Sequence, residues 1–236
     1  MNAPWSNWLA HALLAPEPVL PHALAMQIWL HVGWSVVLAC LAASLVGRSM
    51  PASATRLDSR QWGIALVLAL WTWLPGPYSP AYWLGLAFQA PSIATVLLCD
   101  ALLRARFFPT RAGMPLHTAP HRATLVLALA GVLAGWALLL DSFALLPVQL
   151  YPWGFSAAAV GAVLAVALLP WLLVPVLDPS RSLRLWIAPV AVAVFAAVRL
   201  PSGNVWDAVL DPWLWLVLHG YLVRTLWRRR TACKAA

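Results

Sequence analysis

Two histidines pose the sharpest chemical question in this chain. His31 stands about eight residues beyond Ala23 in one apolar segment, and His219 about eight beyond Asp211 in another. At 1.5 Å per helical residue, both imidazoles lie roughly 12 Å deep. Two neutral imidazoles at one depth are a ligand set for a b-type haem held between helices. Gly33 and Gly220 would leave room for a flat macrocycle. The plainer expectation is two separate histidines hydrogen-bonded inside a bundle, because nothing in the sequence makes their segments neighbours.

A second group surrounds a proline. In FQAPSIAT (88–95), Pro91 has no amide to donate and frees the carbonyl of Ala87, so a kink is expected. Gln89, Ser92 and Thr95 stand around that break. Polar-lined broken helices occur at midplane substrate sites. They also occur where hydroxyls satisfy freed backbone groups and glue helices together.

A third group gathers at one end of the apolar segments: Asp141, Arg199, Asp207 and Asp211. An ion pair between Arg199 and one of these aspartates would lower the cost of placing the cation there. In RLPSGNVWDAVLDPWLW, Asp207 or Asp211 suits an N-cap, and Pro212 suits a first helical position. A structural clamp is the leading expectation. With Gln89, Ser92 and Thr95, the same residues form the alternative, a substrate pathway.

Other chemistry finds no constellation. The acids are Glu17, Asp58, Asp100, Asp141, Asp178, Asp207 and Asp211, with no paired carboxylates, H-E-x-x-H or G-x-S-x-G. No catalytic residue is assigned. His117 and His121 have i, i+4 spacing, but Pro115 and Pro120 disfavour an uninterrupted helix and no third ligand is near, so no metal site is assigned. Cys40, Cys99 and Cys233 lie far apart in sequence and read as structural thiols.

Composition dictates the elements that must hold these groups. Of 236 residues, 63% are hydrophobic and 9% charged, against about 25% charged in soluble domains. The expected fold is all-α, a polytopic transmembrane bundle with spans near 23–46, 61–75, 81–103, 123–146, 155–177, 185–200 and 208–227. Residues 1–22 lack a basic n-region and read as an extracytoplasmic tail, with an interfacial helix at 4–15. Residues 228–236 read as a basic cytoplasmic tail.

Charge then orients the spans. Alternate connectors and the C-terminal end carry 3, 4, 2 and 5 Lys or Arg residues, whereas the opposite side has Arg199 alone. Positive connectors stay in the cytoplasm, which gives seven crossings with the N-terminus out and the C-terminus in. The net charge of +8 is therefore a topology signal, and no nucleic-acid partner is expected. Aromatics agree: Trp71, Trp73, Tyr78, Trp83, Tyr151, Trp153, Trp206 and Trp213 crowd the outer ends. That belt reads as an anchor or as a docking surface. Gly131 and Gly135 form a G-x-x-x-G pair, and Gly154, Ala158 and Ala162 a small-residue stripe, both suited to close helix contact. The turns LPGP at 74–77 and LPSG at 200–203 hint at an internal repeat, but such short matches arise cheaply.

The functional expectation is a non-catalytic subunit or accessory factor of a larger complex in a bacterial inner membrane, with the bilayer and other membrane subunits as partners. A small solute carrier using the residues around the break is the first alternative. A b-haem or quinone-linked electron-transfer subunit using His31 and His219 is the second. Carriers usually show more intramembrane polar groups than this chain has.

Overall fold

A computed structural model describes residues 18–46, 59–107, 122–173 and 184–235. Among these residues the chain is all-helical, with ten α-helices, one short 3-10 turn and no strand. In order they are α1 (Ala23–Val46), α2 (Ser59–Trp71), the turn Gly76–Tyr78, α3 (Pro80–Phe88), α4 (Ile93–Phe107), α5 (Arg122–Ser142), α6 (Leu150–Trp153), α7 (Ala157–Leu173), α8 (Arg184–Val198), α9 (Val205–Val209) and α10 (Pro212–Ala235). The expected interfacial helix at 4–15 and the His117/His121 pair lie outside the described residues.

Local chemistry fixes where these helices stop and start. The hydroxyl of Ser79 accepts the amide of Ala81 at 3.1 Å and caps α3, with Pro80 in its first turn. Ser156 caps α7 by accepting from Ala159 at 3.1 Å. Asn204 caps α9 by accepting from Trp206 at 3.0 Å. Beyond α8, Arg199 takes φ 58°, and the amide of Gly203 returns to its carbonyl at 2.8 Å.

The expected third helix is in fact two. Gln89 leaves the helix with φ 62°, its amide still bound to Gly85 O, and α4 restarts only after Ser92. The missing amide of Pro91 and a left-handed Gln89 do more than kink a helix; they end it. The seventh helix also differs from expectation. A five-residue α9 comes first, the chain breaks at Leu210–Asp211, and α10 then runs through Arg228–Arg230 to Ala235. The second helix ends at Trp71, short of Pro75.

Around the molecule, α1 packs against α2 on one side and against α3 and α4 on the other. Next, α4 leans on α8, α8 on α7, α7 on α5, and α5 on α10. The short α9 sits inward, against α8, α4 and α7. Its Val205 and Ala208 are fully buried in one apolar cluster with Ile93, Ala159, Ala191, Phe195 and Leu214. A second cluster joins Trp34, Val37 and Ala81 to Leu30, Leu84 and Cys99.

Small residues permit the closest approach. A Cβ at Gly131 would lie 2.6 Å from Leu218, and one at Gly135 would overlap the Trp215 ring. The G-x-x-x-G face therefore packs on α10 within the chain. Gly154 likewise leaves room for Asn204 and Trp206.

Two helices, Ala23–Val46 and Ala123–Ser142, are long and apolar enough to cross a membrane. Gln61–Trp71, Ala157–Leu172 and Leu185–Val198 are apolar but shorter. Large apolar side chains stand exposed on outward faces, among them Leu66, Val67 and Leu70 of α2, Leu133 of α5, Leu172 of α7 and Val223 of α10.

Candidate functional site: a polar seam at the helix breaks

The break between α3 and α4 leaves backbone groups inside the bundle, where each needs a partner. The carbonyl of Gln89 accepts the indole N–H of Trp34 at 3.0 Å, and that of Pro91 accepts Trp29 at 2.9 Å. Both indoles come from α1. The amide of Ser92 donates to Asp211 Oδ2 at 2.9 Å. The Ser92 hydroxyl donates to Thr95 Oγ1 at 2.9 Å and accepts the Thr95 amide at 3.1 Å. Ser92 and Thr95 are buried, whereas Gln89 is exposed. The three residues expected to line a pathway thus divide: two bond to each other inside, and the third faces out.

Asp211 joins the two broken helices. Its Oδ1 accepts the amide of Leu214 at 2.7 Å and caps α10, while Oδ2 holds Ser92 at the start of α4. A carboxylate facing two helix N-termini is favoured by both dipoles as well as by the bonds themselves. Of the two aspartates considered for the seventh helix, Asp211 is the cap.

Asp207 does different work. Its Oδ2 accepts the phenol of Tyr151 at 2.8 Å and also bonds the hydroxyl of Ser202. The Tyr151 amide donates to Asp141 Oδ2 at 2.7 Å, and the Asn204 amide group donates to the Tyr151 carbonyl at 2.8 Å. Trp206 Nε1 reaches Leu150 O at 3.0 Å, and the Val205 amide reaches Gly154 O at 3.1 Å. Tyr151 therefore ties the α5–α7 connector to the α8–α10 connector. Burial pushes its phenol up to about 12, with the charge of Asp207 and the bond to it adding.

Arg199 does not take the expected partner. Among the described residues, no ion pair joins it to Asp141, Asp207 or Asp211. Its guanidinium lies 5.4 Å from the Phe195 ring centroid. Among the described residues, the ion pair present is Arg104–Asp100, 2.7 Å apart one helical turn along α4.

The two histidines are held on different helix pairs. His31 Nδ1 meets Thr72 O at 2.6 Å and its ring stacks on Trp73, with centroids 5.5 Å apart, so it belongs to the α1–α2 corner. Beside it, the Ser79 hydroxyl donates to the same Thr72 carbonyl at 2.6 Å, and Ser35 bonds the Thr72 hydroxyl. His219 belongs to the α10–α5 contact: Nδ1 faces Trp215 O at 2.8 Å, and Nε2 accepts Trp136 Nε1 at 3.2 Å. A carbonyl partner requires a proton on Nδ1, and the indole donor then occupies the lone pair of Nε2. No lone pair of His219 is left for iron, and α1 and α10 form no substantial interface. The residues present do not fit a shared haem.

Several participants were not read from the sequence. Nothing in the sequence marked Trp29 and Trp34, yet their N–H groups close the break. Asn204 with Asp207 three positions on has the spacing of a helix N-terminus, a signal that was available. The approach of Cys40 to Cys99 across α1 and α4 had none.

Among the described residues, the fold and seam define an all-helical protein with two helices suited to a membrane, in which Ser92, Thr95, Asp207 and Asp211 bond to groups of the chain itself. No protein-family model matches the chain, and neither does any curated protein or solved structure.

Proposed function

We propose that this chain is a multi-pass protein of a bacterial inner membrane, with seven crossings, N-terminus outside and C-terminus inside, serving as a non-catalytic subunit or accessory factor of a larger membrane complex. The observation that carries the reading is the closure of the seam. Ser92, Thr95, Asp141, Asp207, Asp211 and His219 each bond to groups of the chain itself, while Leu66, Val67, Leu133, Leu172 and Val223 face outward. Polar groups spent on structure are unavailable to a substrate, and an apolar exterior suits lipid and neighbouring helices. Topology rests on the placement of basic connectors. Purification in mild detergent followed by mass spectrometry tests the assignment: stoichiometric membrane partners are expected, and a chain that runs alone overturns it. Reporter fusions must place the 104–122 connector and the C-terminal end on one face.

A second reading has one observation in its favour. The breaks at Gln89–Ser92 and Leu210–Asp211 turn two helix N-termini toward one carboxylate, that of Asp211, and in carriers the N-termini of broken helices face anionic groups of the substrate. Uptake by the purified chain in vesicles, lost in Ser92→Ala, would favour a carrier over an accessory subunit.

A further inference from the structure

Of the groups that the proposed function leaves unused, one pair has reactive chemistry. Cys40 lies on α1 and Cys99 on α4, 59 positions apart, and the packing of these two helices brings them together. The packing explains the meeting. Pro91 and Val96 sit against Gly33 on α1, so the helix axes come close there. Val37, one turn before Cys40, lies in the apolar cluster against which Cys99 packs. Cys40 is buried and Cys99 half-buried.

Two adjacent thiols can hold a soft cation or join to each other. Holding a monovalent cation between two thiolates would leave a net negative charge in an apolar setting. A disulfide is neutral and needs no counter-ion. We propose that Cys40 and Cys99 form an oxidisable dithiol that closes as a disulfide, tying α1 to α4. Two S–H bonds break, one S–S bond forms, and two protons and two electrons pass to a membrane-permeant two-electron acceptor. In the test, that acceptor is an azodicarboxamide, whose N=N bond takes up both hydrogens and becomes a hydrazine. Cys99, being half-buried, is the sulfur reached from the apolar phase, and Cys40 resolves it.

The experiment uses the full chain in membrane vesicles, with Cys233→Ser removing the third thiol. Vesicles are treated with the azodicarboxamide, denatured and labelled with a maleimide. The expected result is two labels before oxidation, none after, and two again after dithiothreitol, with the protein monomeric on a non-reducing gel and lighter by two hydrogens. Adding Cys40→Ala should leave one label that survives oxidation. The closed form should also unfold several degrees higher, a gain that the reductant abolishes. Two labels surviving oxidation would overturn the proposal. So would a disulfide that forms only between chains.

Discussion

Asp211 and Ser92, 119 positions apart, meet at 2.9 Å, carboxylate to backbone amide. The other oxygen of the same carboxylate caps α10 through Leu214. One side chain thus satisfies donors at the starts of two helices, and the seam depends on it more than on any of the hydroxyls.

Replacing Asp211 with Ala should remove a cap worth about 1 kcal/mol and leave the Ser92 amide unsatisfied at a further cost of about 1–3 kcal/mol. Thermal unfolding in detergent should show a clear drop in midpoint, and a smaller one for Asp211→Asn, which keeps an acceptor oxygen. Equal losses would mean that the acceptor oxygen kept by Asn contributes nothing.

Much of this seam could be read from residue types alone, and the reason is locality. Asp211–Pro212 announces a helix start because cap and helix are neighbours in sequence. Pro91 announces a break because the missing amide is its own. What pairs with what was not legible. The Trp29 and Trp34 indoles, the Tyr151–Asp207 bond and the Cys40–Cys99 approach each join distant segments, and a single chain carries no periodicity that reports such pairing. Arg199 shows the same limit from the other side: charge complementarity pointed to the aspartates, while the turn after α8 set its guanidinium over Phe195.

Gly135 and Gly220 make a controlled comparison. A side chain at Gly135 would strike Trp215, whereas Gly220 faces open space. Gly135→Leu should destabilise by about 2 kcal/mol through overpacking, and Gly220→Leu should be close to neutral. Chemical denaturation of both variants in matched micelles would show whether α5 and α10 pack as described.

Alkaline titration reads the Tyr151 contact. Its phenol is raised to about 12 from an ordinary value of about 10, so the folded state holds this proton more tightly than the unfolded state does. The resulting stabilisation is fully present below pH about 10 and is lost as pH climbs from 10 toward 12. Tyrosinate absorbance should show one late-titrating group that vanishes in Tyr151→Phe, and that variant's stability should fall less over the same window.

Gln89 holds φ 62° without being glycine, a conformation that costs about 1–3 kcal/mol. Gln89→Gly should therefore raise the unfolding midpoint, and Gln89→Val should lower it. The exposed side chain predicts that neither change disturbs the bonds from Trp29 and Trp34, which hydrogen exchange at the two indole N–H groups can check.

Haem titration probes the histidines. With His219 engaged at both nitrogens, added haem should give no low-spin bis-imidazole spectrum in purified protein. Such a spectrum, lost in His219→Ala, would show that the bond from Trp136 yields to iron.

The inward position of α9 sets an order of construction. Ile93, Ala159 and Phe195 all precede Val205 and Ala208, the residues that fill the space between them. During synthesis the walls emerge first and stand around a hollow until this five-residue helix arrives. A nascent chain halted before residue 205 would offer greasy walls with nothing between them, open to lipid tails or to a chaperone's grip. Ribosome-stalled intermediates on either side of that point should differ sharply in protease resistance.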